Sequence, residues 1–186
     1  MLVLPMVGWA VTGFVFFVKP GYGGAYEMLN VKTYALDSGP SITPRPGWRE
    51  FRVFRTILGE HLLILTFEGW RHLNPQTLQS MPAPSEDDVK RLVNDAFTAN
   101  PARYGRITGV AGNLVTTDTG VEVTLDWNRV SLQQKGRDTD RIDRLYKVHY
   151  LQWTGVKGID RVLGFVGLSL VLVLTGFGVR LALGRK

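Results

Sequence analysis

The chain reads as a membrane-anchored α+β protein, with two transmembrane helices flanking a helix-on-antiparallel-sheet domain and a small β-meander lobe. Three observations predict this class. Residues 2–18 and 162–179 carry no charge, and the second stretch, VLGFVGLSLVLVLTGFGV, has the length that crossing a bilayer as a helix needs, about 17–25 residues. Short apolar runs divided by Gly-containing pairs occupy residues 51–73, the pattern of strands joined by turns. From Ser85 onward apolar residues recur at helical spacing, and alternation follows at 121–127.

Taken in order, residues 1–18 form the first predicted transmembrane helix. They lack a basic start, and Lys19-Pro20-Gly21-Tyr22 follows them in place of a small-x-small cleavage site, so an uncleaved anchor is expected. The missing basic start also fits a natural chain that begins further upstream. Residues 19–84 read as an interfacial linker and the small β lobe. Within them FRVFRTIL (51–58), HLLILTF (61–67) and residues 70–73 are candidate strands, and three prolines at 75–84 mark a connector.

Residues 85–139 read as an α+β unit. Ser85 with Asp88 approximates a capping box, and Glu86, Asp87 and Asp88 suit the positive end of a helix dipole. Val89, Leu92, Val93, Ala96 and Phe97 make one apolar face, ended by Asn100-Pro101. Two strands are then expected, RITGVAGNLVTT (106–117) and VEVTLDW (121–127), the second alternating between a buried and a wet face. Residues 140–160 read as a juxtamembrane amphipathic helix with Ile142, Leu145, Tyr146, His149 and Trp153 on one face, Tyr146 and Trp153 at the membrane interface. Residues 161–183 are the second predicted transmembrane helix.

Composition removes several function classes. There is no cysteine, hence no disulfide, thiolate nucleophile or cysteine-held metal. The net charge of +6 suggests nucleic acid, but residues 19–160 hold 18 basic and 16 acidic side chains, and the other four basic residues, Arg161, Arg180, Arg185 and Lys186, flank the second span. A nucleic-acid footprint would cluster on the folded domain instead. Basic residues after that span predict a cytoplasmic C-terminus, and two spans put both termini there, with the central domain periplasmic or otherwise extracytoplasmic in a bacterial inner membrane. Metalloprotease, nucleophile-elbow and phosphate-loop motifs are absent, so no catalytic residue is assigned.

The order of short motifs resembles a known family. Trp9-x-x-Thr12-Gly13 lies in the first span. Thr119-Gly120-Val121 and Leu125-Asp126-Trp127 follow in the soluble part, then His149-Tyr150-Leu151-Gln152-Trp153-Thr154-Gly155, and Thr175-Gly176 in the second span. This resembles the PepSY-associated transmembrane proteins, most clearly over residues 85–178. The resemblance implies a PepSY-like α+β unit at 85–139, a non-catalytic extracytoplasmic module that binds a protein partner such as an envelope peptidase or a membrane-complex subunit. It also implies an alternative, an accessory subunit of a membrane redox or siderophore-iron reduction system with His149 near a haem. Larger members carry haem between histidines near their spans. This chain has three histidines, none inside either predicted span, so no cofactor is expected and haem is the alternative.

Among single residues, His149 is the candidate haem ligand or proton sensor. His61 and His72, with Glu60 and Glu68 nearby, match no metal-ligand spacing, and no metal is assigned to them. Small residues in the spans, Gly8, Thr12 and Gly13 in the first and Gly164, Gly167, Thr175, Gly176 and Gly178 in the second, predict close helix packing in lipid, between the spans or against another subunit, homo- or hetero-oligomeric.

Overall fold

The computed structural model describes residues 3–36, 42–152 and 154–184. In chain order its elements are α1 (Val3–Val18), α2 (Tyr22–Ala25), β1 (Glu50–Thr56), β2 (Gly59–Thr66), β3 (Gly69–Leu73), α3 (Glu86–Phe97), α4 (Pro101–Tyr104), β4 (Ile107–Ala111), β5 (Leu114–Thr117), β6 (Glu122–Asp126), β7 (Ser131–Lys135), α5 (Arg137–His149) and α6 (Lys157–Leu183). They divide into two compact units, one spanning Gly23–Arg137 and one made of Met1–Tyr22 with Asp138–Lys186.

The first unit is α+β with two antiparallel sheets, ordered β1-β2-β3 and β4-β5-β6-β7. Gly59 and Gly69, at φ 114° and 122°, turn the chain between the first three strands, a conformation that side chains other than glycine resist. Ser85 caps α3 with both arms of a capping box formed by Asp88. The apolar face of α3, Val89, Leu92, Val93, Ala96 and Phe97, shares one core with Val115, Val123, Leu125 and Leu132 of the second sheet and Leu63 of the first. Phe97 stacks on Tyr104 at 4.7 Å, and Tyr104 is fully buried.

The second sheet differs from the expected pair of strands. Residues 106–117 fold back on themselves at Gly112-Asn113, with Gly112 at φ 57°, and so supply β4 and β5. A Gly-Asn pair inside an apolar run is a hairpin signal. β7 adds a fourth strand whose polar sequence, SLQQK, hides its strand character. Gln134 in it donates from Nε2 to the carbonyls of Gly24, Ala25 and Glu27 (3.1–3.3 Å), which fastens the end of α2 and the residues just after it to this sheet.

The second unit corrects the prediction of two flanking transmembrane helices. Among the described residues one helix is long and apolar enough to cross a membrane, over Lys157–Leu181, and its apolar stretch is unburied. The helix α1 has 16 residues, about 24 Å at the rise of an α-helix, against a hydrocarbon core of about 30 Å. Among the described residues its Val7–Val18 stretch is a shorter apolar helix. Its physical end is local: Lys19 turns to φ 51°, Pro20 follows, and Gly21 sits at φ 79°. Its side chains also have protein partners. Thr12 is 3% exposed, and Phe16 stacks on Tyr146 of α5 at 4.6 Å. The amphipathic α5 ends at His149, before the break that precedes α6.

Candidate functional site

Two histidine clusters stand out, one in each unit. In the α+β unit the sheet register puts Leu63 of β2 opposite His72 of β3, and His61, two residues before Leu63, lies diagonally on the same face. Their rings meet, with His61 Nδ1 2.9 Å from His72 Nε2. On its other side His61 Nε2 lies 2.7 Å from Thr56 Oγ1, which also accepts the Leu58 N–H (3.1 Å). Trp127 packs edge-on against both imidazoles, with centroids 4.5 Å from His72 and 5.7 Å from His61, and its indole N–H donates to the Pro82 carbonyl (2.8 Å). His61 is 0% exposed and His72 2%.

Burial holds both rings neutral. It lowers His61 to about 4, with the neighbouring His72 lowering it further. It also lowers His72 to about 4, against a small opposing contribution from the main chain of Trp127. His72 Nδ1 itself is buried without a hydrogen-bond partner of good geometry. Two neutral rings can share only one proton across the 2.9 Å contact, so one ring donates and the other accepts. A first added proton could be shared within the Thr56–His61–His72 chain. A second would set N–H against N–H, which the geometry forbids.

Beside this pair lies a cavity of about 160 Å³ lined by Leu58, His61, Met81, Pro82, Ala83, Pro84, Asp88 and Trp127. Glu60 and Glu68, near the histidines in sequence, bond elsewhere, Glu60 with Gln76 (2.8 Å) and Glu68 with Arg71. Among the described residues no group of three or more His, Asp or Glu gathers to hold a metal.

In the helical unit Thr12 and His149 meet, with Oγ1 and Nδ1 2.8 Å apart. Thr12 Oγ1 donates to the Gly8 carbonyl (2.7 Å), and the Trp9 carbonyl lies 3.2 Å away. With its one proton on the Gly8 carbonyl, the hydroxyl accepts from His149 Nδ1–H, which in the neutral ring puts the lone pair on Nε2. Phe16 and Tyr150 stand edge-on to the ring at 5.0 and 5.4 Å. His149 is half-buried.

The remaining small residues divide. Gly167 is in a tight place, where a Cβ would come within 2.6 Å of Leu151 Cδ1 and 3.4 Å of the Trp9 ring. Gly8, Gly13, Gly164, Gly176 and Gly178 have nothing within 4 Å of such a Cβ. Thr175 returns its hydroxyl to the Val171 carbonyl (2.8 Å). Tyr146 joins the Phe16 stack, and Trp153 lies outside the described residues. Thr56 and Trp127 escaped sequence reasoning as partners of the histidines. Their signals were present, Thr56 directly before a tight turn and Trp127 on the buried phase of an alternating strand.

No family model, curated protein or solved structure matches the chain.

Proposed function

We propose that the chain is a membrane-anchored, non-catalytic binding module of the PepSY kind, whose α+β unit engages a protein partner outside the cytoplasm. The observation that carries the reading is α6, an exposed apolar helix long enough to cross a bilayer, joined through the chain to a separately cored α+β unit. The motif order over residues 85–178 supports the family, and the basic residues after the span support a cytoplasmic C-terminus. With a single span, the chain before α6 lies on the opposite, extracytoplasmic side. Affinity purification of the tagged full chain from native membranes, after gentle detergent extraction, tests this. A stoichiometric partner is expected, and recovery of the bare polypeptide contradicts the reading.

A second reading is favoured by the tautomer at His149. A histidine that ligates a metal usually gives its other N–H to a fixed acceptor, and Thr12 is such an acceptor. His149 Nε2 would hold the iron of a haem, and a second ligand would come from another chain. When bound, that haem would supply one-electron chemistry to a membrane redox or siderophore-iron system. An absorption spectrum of the purified complex tests it: a Soret band that His149→Ala removes is expected, and its absence ends the reading.

A further inference from the structure

We propose that His61, His72 and Met81 form a binding site for a soft monovalent cation, Cu(I), with Trp127 packed beside it. The proposal is independent of the partner-binding reading.

Two imidazole nitrogens face each other at 2.9 Å, with both rings buried. Two nitrogens each about 2.0 Å from a metal at a trigonal angle are about 3.5 Å apart, so the two nitrogens need to part by about 0.6 Å to admit an ion. Both imidazoles are neutral at pH 7, the state a ligand requires. Nothing has to be deprotonated. The proton now shared between the rings moves to the far nitrogen of His61 when that ring is the donor. There Thr56 Oγ1, 2.7 Å away, accepts it. His72 then needs its proton on Nδ1, the atom that has no well-formed partner and that lies near the main chain of Trp127. This is the arrangement in which ligating histidines are oriented by acceptors behind them.

The third ligand and the route in are on the same side. The main-chain N–H of Met81 donates to the His72 carbonyl (2.9 Å), so Met81 is held next to the pair. It lines the same cavity as His61, with Asp88 contributing a negative charge to the lining and Trp127 completing it.

The donor set selects the metal. Imidazole and thioether are ligands for Cu(I), and carboxylate-rich or four-ligand sites suit zinc and harder ions. The two carboxylates nearest in sequence, Glu60 and Glu68, are bonded elsewhere.

The test is anaerobic titration of the detergent-solubilised full chain with Cu(I) against a chromophoric Cu(I) chelator. One equivalent of tight binding is expected. His61→Gln and His72→Gln should each weaken it by at least about 100-fold and Met81→Leu by about 10-fold, at or above the about 10–100-fold that loss of a residue behind a metal ligand costs. Met28→Leu, which removes an exposed thioether elsewhere, should leave it unchanged. Because the histidine variants sit in a core, X-ray absorption of the Cu(I)-loaded unmutated chain gives a readout independent of their folding. Scattering from two imidazoles and one sulfur is expected. Substoichiometric uptake, or a bound copper without imidazole scattering, would overturn the proposal.

Discussion

His61 and His72 are sealed inside the α+β unit, where burial keeps them uncharged, whereas His149 sits half-exposed in the helical unit with Nδ1 bound to Thr12. The same side chain is thus held in two ways. In the sheet, strand register and a shared core immobilise two rings against each other. In the helical unit a single hydroxyl on α1 orients one ring. The contrast extends to the units themselves. One has an interior built from α3 and two sheets, and the other leaves the long apolar surface of α6 uncovered. Stability in the first unit should come from packing among its own side chains. In the second it should come from lipid and from a few close contacts such as Gly167 with Trp9 and Leu151.

The largest effect that separates the units is expected at Tyr104, fully buried against Phe97 and hydrogen bonded through its hydroxyl to Glu27 (3.3 Å). Tyr104→Ala should destabilise the α+β unit by about 3–5 kcal/mol in urea denaturation followed by circular dichroism, while membrane retention of the chain is unchanged. A loss of both together would mean the units are not separately stabilised.

Acid should act on the same unit and spare the other. The histidine pair has folded-state values of about 4, lowered from the ordinary 6.5, so the unfolded chain binds more protons between those limits. The stability that the neutral pair contributes is therefore complete above pH 6.5 and lost as pH falls toward 4. For one histidine this is about 3 kcal/mol at pH 4 in the metal-free chain. Urea midpoints measured across this range should fall with pH, and His72→Leu should flatten the dependence. Midpoints independent of pH would show the pair to be solvated.

Smaller effects probe single contacts. Gly167→Leu drives a side chain into the Trp9 ring and should cost about 1–3 kcal/mol in the helical unit, seen as a change in Trp emission without loss of the α+β fold. Ser85→Ala removes one arm of the capping box and should lower α+β stability by about 1 kcal/mol.

What was legible in the sequence follows the same division. The helix at Ser85, with its cap and its apolar face, was readable because each signal is local. The meander at 51–73 was readable because glycines mark its turns. The hairpin at Gly112-Asn113 and the polar strand β7 were not, since an apolar run on both sides masks the first and the second is defined by its neighbour more than by its own residues. The end segments misled for another reason. Residues 2–18 are as apolar as a span, but length decides crossing, and Lys19-Pro20-Gly21 stops the helix early. Of the candidate sites, His149 was legible from its place on an amphipathic face. The contact between His61 and His72 depends on register, which spacing along the chain does not reveal.

The claim on which the account rests is that lipid surrounds α6. Alkaline carbonate extraction of membranes carrying the full chain tests it directly, with Leu172→Asp beside it, since a carboxylate at the middle of a span costs about 3 kcal/mol. The account predicts that the chain stays with the membrane pellet and that Leu172→Asp shifts it toward the supernatant. Release of the unmutated chain into the supernatant, folded and soluble without detergent, would contradict it.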